Sequence, residues 1–478
     1  MIGRERGSPA RVQAFLVRHE LVIVGALAIV YLITYGTLSI LRHLTYHSFG
    51  PDLGLFDQIF WNTTQGRPFE STMSQAQPIP HSYFNDHFSP VYLLLMPFYL
   101  LFPQPATLLV LQTLALAAGA LPIYLLAREK LAPGFNRIGW VLAYFLFLPL
   151  AFINLFDFHE LAFAVLPLGL ALYFVERRQP VWFLLSLLAA FLVKEELPLV
   201  GLGFGLYVLL EKRDLKLGLG VLALSGLAFF SIVRLIIPAF GGGTPYAYFT
   251  ARYAQLGNSP EQIVRTILTN PRKLAATLFQ LQKLKFLLGI FGPVLGLTVL
   301  SGFGIVLVLP TLTILLLSNY APQFAFTSHY SAPLIPLVVG TSIVGLARLR
   351  PHLHGPLTAA VLASSLLFSY TLGDLPFSRH FDPRTFQTEP RYVAFAANLA
   401  RIPPTASVAA QNHLTPHLSH RRYIFDMEFE GPQHADYLAL DDATFGRNTA
   451  AFRGQIETFV SRGYRVIATG DGLAILAR

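Results

Sequence analysis

The 478-residue chain is 54% hydrophobic and only 13% charged, with a mean hydropathy of +0.53, whereas soluble domains carry roughly 25% charged residues. This excludes an ordinary water-soluble fold. The net charge of +9 reads as membrane topology rather than nucleic-acid binding, because much of the Lys and Arg sits in short loops between apolar runs. Cysteine is absent, which excludes disulfides, thiolate nucleophiles and Cys-ligated metals.

Arg4, Arg6, Arg11 and Arg18 precede an apolar run from Leu21 to Leu41. That run is longer than a signal-peptide core and lacks a small-residue exit, so it is predicted to be a retained first span with the N-terminus in the cytoplasm. A first external loop, residues 42–89, then presents Asp52, Asp57, Glu70, Asp86 and His87. Pro90–Phe102 is apolar but too short to cross comfortably, so a re-entrant or interfacial helix is expected. Ala106–Ala127 crosses to Arg128, Glu129 and Lys130, and Gly139–Phe156 returns to a second acidic cluster, Asp157, His159 and Glu160. Leu161–Val175 runs inward to Arg177 and Arg178, Val181–Val193 comes back to Lys194, Glu195 and Glu196, and Leu197–Leu210 goes in to Glu211, Lys212 and Arg213. Leu217–Phe240 is a full crossing that carries Arg234 about two turns from its outer end.

Residues 241–285 form a second long external loop, with Arg252 and Arg265 among its basic residues and a helical pattern near Pro260–Phe286. Phe286–Ser318 is too long for one crossing and has a Ser301-Gly302 break, which predicts a tight hairpin of two spans. Asn319–Ser331, with His329 and Tyr330, is external; Ala332–Leu349 runs inward and Pro356–Leu372 outward, giving about eleven crossings. After Asp374 the apolar residues no longer form membrane-length runs. Helices are predicted at Arg391–Arg401 and Thr449–Arg462, strands at Ser407–Ala410, Tyr423–Asp426 and Asp436–Leu440, and a hairpin of Tyr464–Thr469 and Leu473–Ala477 around Gly470-Asp471-Gly472. The expected architecture is an all-α polytopic membrane domain over residues 1–373 and a small extracytoplasmic α/β domain over residues 374–478.

The first loop, Asp157–Glu160, Lys194–Glu196 and the basic loop all fall on the outer side, although they are far apart in the chain. An enzyme using a lipid-phosphate donor needs a carboxylate to take a proton from the acceptor, cations or a metal to neutralise the departing phosphate, and a groove for the lipid tail. Arg234, Arg252 and Arg265 suit the phosphate, since a guanidinium stays charged and offers several donors. Asp157, His159 and Glu160 are ligand types for Mn²⁺, Mg²⁺ or Zn²⁺. Plainer readings exist for each group. Loop carboxylates confer solubility, Lys194, Glu195 and Glu196 can form a self-compensating ion pair that caps a span, and His329 and Tyr330 can be interfacial aromatics rather than substrate contacts.

PDLGLFDQIFW followed by Gly66, HFSPVYLLLMPFYLLFP, NLFDFHE, VKEELPL and HYSAP resemble the GT-C superfamily of polytopic glycosyltransferases, and more closely a prokaryotic membrane-protein family of unknown function grouped with it. The resemblance implies a cell-membrane enzyme that moves a sugar from a polyprenyl-phosphate-linked donor to an acceptor on the outer face. It also implies that a first-loop Asp is the base or a metal-site residue. By register from Gly66, Asp52 best matches that Asp, Asp57 is next, and Asp86 with His87 matches the polar pair before the interfacial helix. The commoner Asp-Glu pair is absent, since Leu53 follows Asp52 and Gln58 follows Asp57. The alternative is a transporter or a non-catalytic lipid-carrier-binding protein. A secondary transporter would place ionisable groups near the midplane, whereas here they gather at one face.

Overall fold

The computed structural model describes residues 9–73, 80–241, 251–429, 431–432 and 434–478. Arg4 and Arg6 of the basic lead, and part of the second external loop, lie outside the described residues. Five described helices are long and apolar enough to cross a membrane: Glu20–Leu44, Pro105–Lys130, Leu215–Phe240, His329–Ala347 and Pro351–Leu372. Three bent pairs raise the number to as many as eight: Phe135–Phe145 with Leu148–Leu155 at 41°, Pro271–Leu278 with Leu281–Phe291 at 61°, and Leu297–Leu307 with Leu309–Leu317 at 86°. The expected crossings at Leu161–Val175, Val181–Val193 and Leu197–Leu210 correspond to helices Val165–Glu176 and Pro180–Phe191, of 12 residues each, and Leu197–Tyr207, of 11 residues continued by five more at Val208–Lys212. At about 1.5 Å per residue each is shorter than a bilayer core of roughly 30 Å, so length alone counts five to eight spans rather than eleven. Val91–Leu101 is a short apolar helix, as expected of the interfacial segment. Gly302 breaks Leu297–Leu307 at φ 69°, where the sequence predicts an interruption.

Burial separates the spans into centre and rim. His329–Ala347 is 94% buried inside the protein, whereas Glu20–Leu44 is 11% buried and exposes apolar side chains such as Leu21, Ile29 and Ile33. The central helix packs against Leu297–Leu307, Ala120–Lys130 and Val165–Glu176. At Gly345 a Cβ would lie 2.3 Å from the Leu297 carbonyl oxygen, so a hydrogen side chain is what lets the two backbones meet. At one end of the bundle Glu176 accepts from Lys130 and Lys212, at 2.8 and 2.5 Å. Glu20, at the start of the first span, takes the Tyr124 hydroxyl at 2.8 Å and faces Arg137 at 3.4 Å. The candidate chemistry gathers at the other ends of these helices.

In the first loop β1 (Glu70–Ser71) and β2 (His81–Ser82) form a short antiparallel pair. Beyond residue 374 all the expected elements form. Strands β3 (Val408–Ala410), β4 (Ile424–Asp426), β5 (Tyr437–Asp441), β6 (Arg465–Gly470) and β7 (Leu473–Ala477) make one sheet in the order β4-β3-β5-β7-β6. β3 runs parallel to β4 and β5, and β7 antiparallel to β5 and β6. Asp471 and Gly472 turn β6 into β7 with φ 53° and 89°, the positive pair a two-residue hairpin requires. Alternation along the strands gives the sheet two apolar faces. Val408, Ala410, Ile424, Ala439 and Ile475 join the core of the membrane helices and the first loop, while Ala409, Phe425, Leu438, Leu440 and Leu476 pack with Phe452 and Phe459 of helix Thr449–Ser461. The hydrophobic core is therefore continuous from the spans into the sheet.

Candidate active site

The first loop reaches its position by close contact with the C-terminal segment. At Gly50 a Cβ would lie 2.4 Å from Asp426 Oδ2, and at Gly54 it would lie 3.3 Å from the Pro416 backbone nitrogen. The Gly50 amide donates to Asn412 Oδ1 at 2.6 Å. Gln58 Nε2 donates to the Arg422 carbonyl at 2.9 Å, and Thr72 Oγ1 to that of Ile424 at 2.6 Å. Pinned this way, Pro51 and Asp52 form one wall of a cavity of about 420 Å³. The turn at Asp157, held at φ 94°, supplies the facing wall. Gln112 braces it by donating to the Asp157 carbonyl at 2.6 Å and accepting from the His159 amide at 2.7 Å.

The cavity brings together Asp52, Asp86, His87, His159, Glu160, Lys194, Arg252, His329 and Tyr330, drawn from every cluster the sequence places outside. His159 Nε2 meets Asp52 Oδ1 at 3.0 Å, and its ring stacks on His329 at 3.5 Å and 12°. Among the described residues no protein group is bonded to Asp52 Oδ2, and the Asp52 side chain keeps 21% of its surface exposed. Asp86 is buried and paired with His81 at 3.0 Å. Lys194 is bonded to Glu160, whose other oxygen accepts from Tyr92 at 3.0 Å. Burial is the largest single influence and would raise the Glu160 carboxyl, but the charge and hydrogen bond of Lys194 with the nearby His159 and His87 together outweigh it and hold the group below its ordinary range. Burial likewise opposes the Lys194 charge, but Glu160, Glu195 and Glu196 together hold its ammonium above the usual lysine value. Glu195 lies behind the wall, binding His87 Nδ1 at 2.8 Å and the Phe88 amide at 3.1 Å. Arg252 donates to the Tyr330 hydroxyl at 3.3 Å and lies 5.3 Å from the ring centres of both Tyr320 and Tyr330.

The other expected site residues lie elsewhere. Asp57 is wholly buried and accepts from Tyr99 and Ser419 at 2.6 Å each, with His420 at 3.0 Å. Arg234 and Arg265 are exposed and do not line the cavity. Asp157, His159 and Glu160 engage Arg42, Asp52 and Lys194 respectively. Their side chains therefore diverge, and among the described residues no group of three His, Asp or Glu converges as a metal site. Burial pushes the Asp157 carboxyl up to about 6, against the pull of Arg42. Sequence reasoning missed Asn319 and Tyr320, although both sit in the stretch read as external, and Tyr83, which carries no local signal.

A second, apolar groove of about 470 Å³ runs beside the site, lined by Phe156, Phe286, Phe324 and Phe326 with Lys285. Phe156 joins the two, with its ring 5.4 Å from His159 and 5.6 Å from His329.

Among solved structures the chain is similar to ArnT from Cupriavidus metallidurans bound to undecaprenyl phosphate, at 13% identity over 96% of this chain and 98% of that one, with a TM-score of 0.55. The apo state of the same protein, also at 13% identity and the same coverage, gives 0.53. The apo oligosaccharyltransferase of Archaeoglobus fulgidus gives 0.50 at 12% identity, covering 87% of this chain and 69% of that one. No functionally curated protein matches the chain. These neighbours are GT-C glycosyltransferases, and at such identity the likeness is one of fold. The family described as "Predicted membrane protein (DUF2079)" matches residues 42–475, and the chain belongs to that family.

Proposed function

We propose that this protein is a membrane glycosyltransferase that moves a sugar from a polyprenyl-phosphate-linked donor to an acceptor on the outer face, with Asp52 as the general base. The observation that carries this reading is the cavity itself. Of the two first-loop carboxylates that line it, Asp86 is buried against His81, whereas Asp52 stays partly exposed, has its Oδ1 oriented by His159, and among the described residues has no protein group bonded to Oδ2. A base must be held in place yet keep a lone pair for the proton it takes. In the proposed step the acceptor hydroxyl forms a bond to the anomeric carbon, its proton passes to Asp52, and the bond from that carbon to the phosphate oxygen breaks with inversion. Arg252, backed by Tyr320 and Tyr330, meets the charge that develops on the departing phosphate. The polyprenyl tail occupies the neighbouring aromatic groove. The ArnT structure with undecaprenyl phosphate supports a carrier of that class. The diverging side chains at residues 157–160 do not suit a metal, so no step is assigned to one.

Asp52→Asn preserves size and deletes the base. We expect it to lower the transfer rate by roughly two orders of magnitude or more, with the thermal midpoint little changed. Full activity in Asp52→Asn, together with loss in a stable Asp57→Asn variant, would move the base to Asp57.

A further inference from the structure

A separate cavity of about 420 Å³ lies between the outer end of the first span and the C-terminal sheet; Arg42, Tyr46, Phe49, Arg391, Tyr392 and Arg447 are among its lining residues. It adjoins the site already described. Phe49 lines this cavity and Asp52 the first, and the three intervening residue steps span at most about 11 Å. The partition is tied from both sides. Arg42 and the Phe49 amide hold Asp157, and two residues on His159 holds Asp52.

The charges inside are only partly matched. Arg42 is taken by Asp157. Asp441 accepts from Arg391 Nη2 and meets His413 Nε2, both at 2.8 Å, and Arg391 reaches Asp442 at 3.4 Å. After these pairs Arg391 Nε remains buried without an acceptor, and among the described residues Arg447 makes no salt bridge. Two guanidinium groups with donors to spare are a fork-shaped match for a phosphate or a carboxylate. Tyr392, stacked on the buried Tyr46 with ring centres 5.4 Å apart, adds a flat apolar face against which the C–H face of a sugar ring can lie.

We infer that this second cavity receives the acceptor, and that the acceptor is a saccharide whose phosphate or carboxylate is taken by Arg391 and Arg447 while its hydroxyl is presented to Asp52. The role as acceptor rests on the glycosyl-transfer reading; the anion-binding cavity does not. The test is binding to purified full-length protein in detergent, with glucose 6-phosphate and glucuronate as charged probes and glucose as the neutral one. The charged probes are expected to bind at least fivefold more tightly than glucose, to weaken with added salt, and to lose at least fivefold in affinity in Arg447→Gln. Asp52→Asn is expected to keep the binding while losing transfer. If the wild-type protein transfers no sugar yet binds the charged probes in this way, only the glycosyl-transfer reading falls. In nanodiscs, displacement of glucose 6-phosphate by phosphatidylglycerol but not phosphatidylcholine assigns the charge to a lipid-linked acceptor, and no displacement assigns it to a soluble one. The inference is overturned if glucose binds as tightly as the charged probes, or if charged-probe binding survives Arg447→Gln but is lost in Arg252→Gln.

Discussion

Asp52 and Asp57 lie five residues apart in one loop, and their surroundings differ: Asp52 lines the cavity and Asp57 is enclosed by its partners. Asp57 has no surface of its own and accepts from Tyr99, Ser419 and His420, which ties a spanning-side helix to the C-terminal segment. Asp57→Ala leaves those donors without their acceptor, and we expect a stability loss of about 3 kcal/mol, read as an earlier denaturant midpoint; Asp52→Asn should leave that midpoint near the wild-type value. The pair also sets a pH dependence. Burial pulls the His420 imidazole down, but the hydrogen bond and charge of Asp57 outweigh it and hold it above the ordinary histidine value of 6.5. A raised folded-state value means that the stabilisation is fully present below about pH 6.5 and is lost as pH rises through the His420 value in the folded protein. The stability difference between wild type and His420→Gln should therefore shrink from pH 5.5 to 8.5. A difference that stays constant or grows would refute the assignment.

At the level of elements, close helix contacts depend on where a side chain is missing. A methyl at Gly345 would meet the Leu297 carbonyl oxygen at 2.3 Å and the Ser301 amide nitrogen at 3.1 Å, both backbone atoms that cannot rotate away. At Gly340 the nearest atom is the Leu172 Cδ2 methyl at 2.5 Å, the end of a flexible chain. Gly345→Ala should cost about 1–3 kcal/mol and lower the thermal midpoint in detergent clearly more than Gly340→Ala does. Equal effects would show that the helix pair can slide apart without penalty. The same logic applies at Gly50 and Gly54, where the first loop presses on residues 415–426 and thereby positions Asp52.

Over the whole molecule, charge is segregated along the spans. Glu20, Lys130, Glu176 and Lys212 gather at one end, while the cavity residues and the C-terminal sheet occupy the other. If the basic loops mark the cytoplasm, the first loop and residues 374–478 face outside. Because the chain has no cysteine, single introduced cysteines make a clean test. Gln65→Cys and Thr449→Cys should react with an impermeant maleimide in intact cells, and Arg350→Cys only after permeabilisation. The reverse pattern would invert the topology.

Hydropathy and basic loops were enough, from sequence alone, to identify a polytopic membrane protein, since an apolar run long enough to cross a bilayer cannot remain in water. The β-alternation and the Asp-Gly turn after residue 374 likewise located the strands, because period and turn chemistry are local properties. The assembly of Asp52, Glu160, Lys194, Arg252 and His329 around one cavity was foreseen only as a shared side of the membrane. Preferring Asp52 to Asp57 as the proposed base required knowing which carboxylate is exhausted by its partners, two of them more than 300 residues away in the chain. The number of spans also passed beyond sequence, because helices such as Val165–Glu176 and Pro180–Phe191, of 12 residues each, satisfy a hydropathy window without the length to cross alone. The second cavity left no signal along the chain at all. Its walls, Arg42 and Phe49 on one side and Arg391, His413 and Arg447 on the other, meet only because one face of the sheet joins the core of the membrane helices, a long-range packing relation that local patterning does not encode.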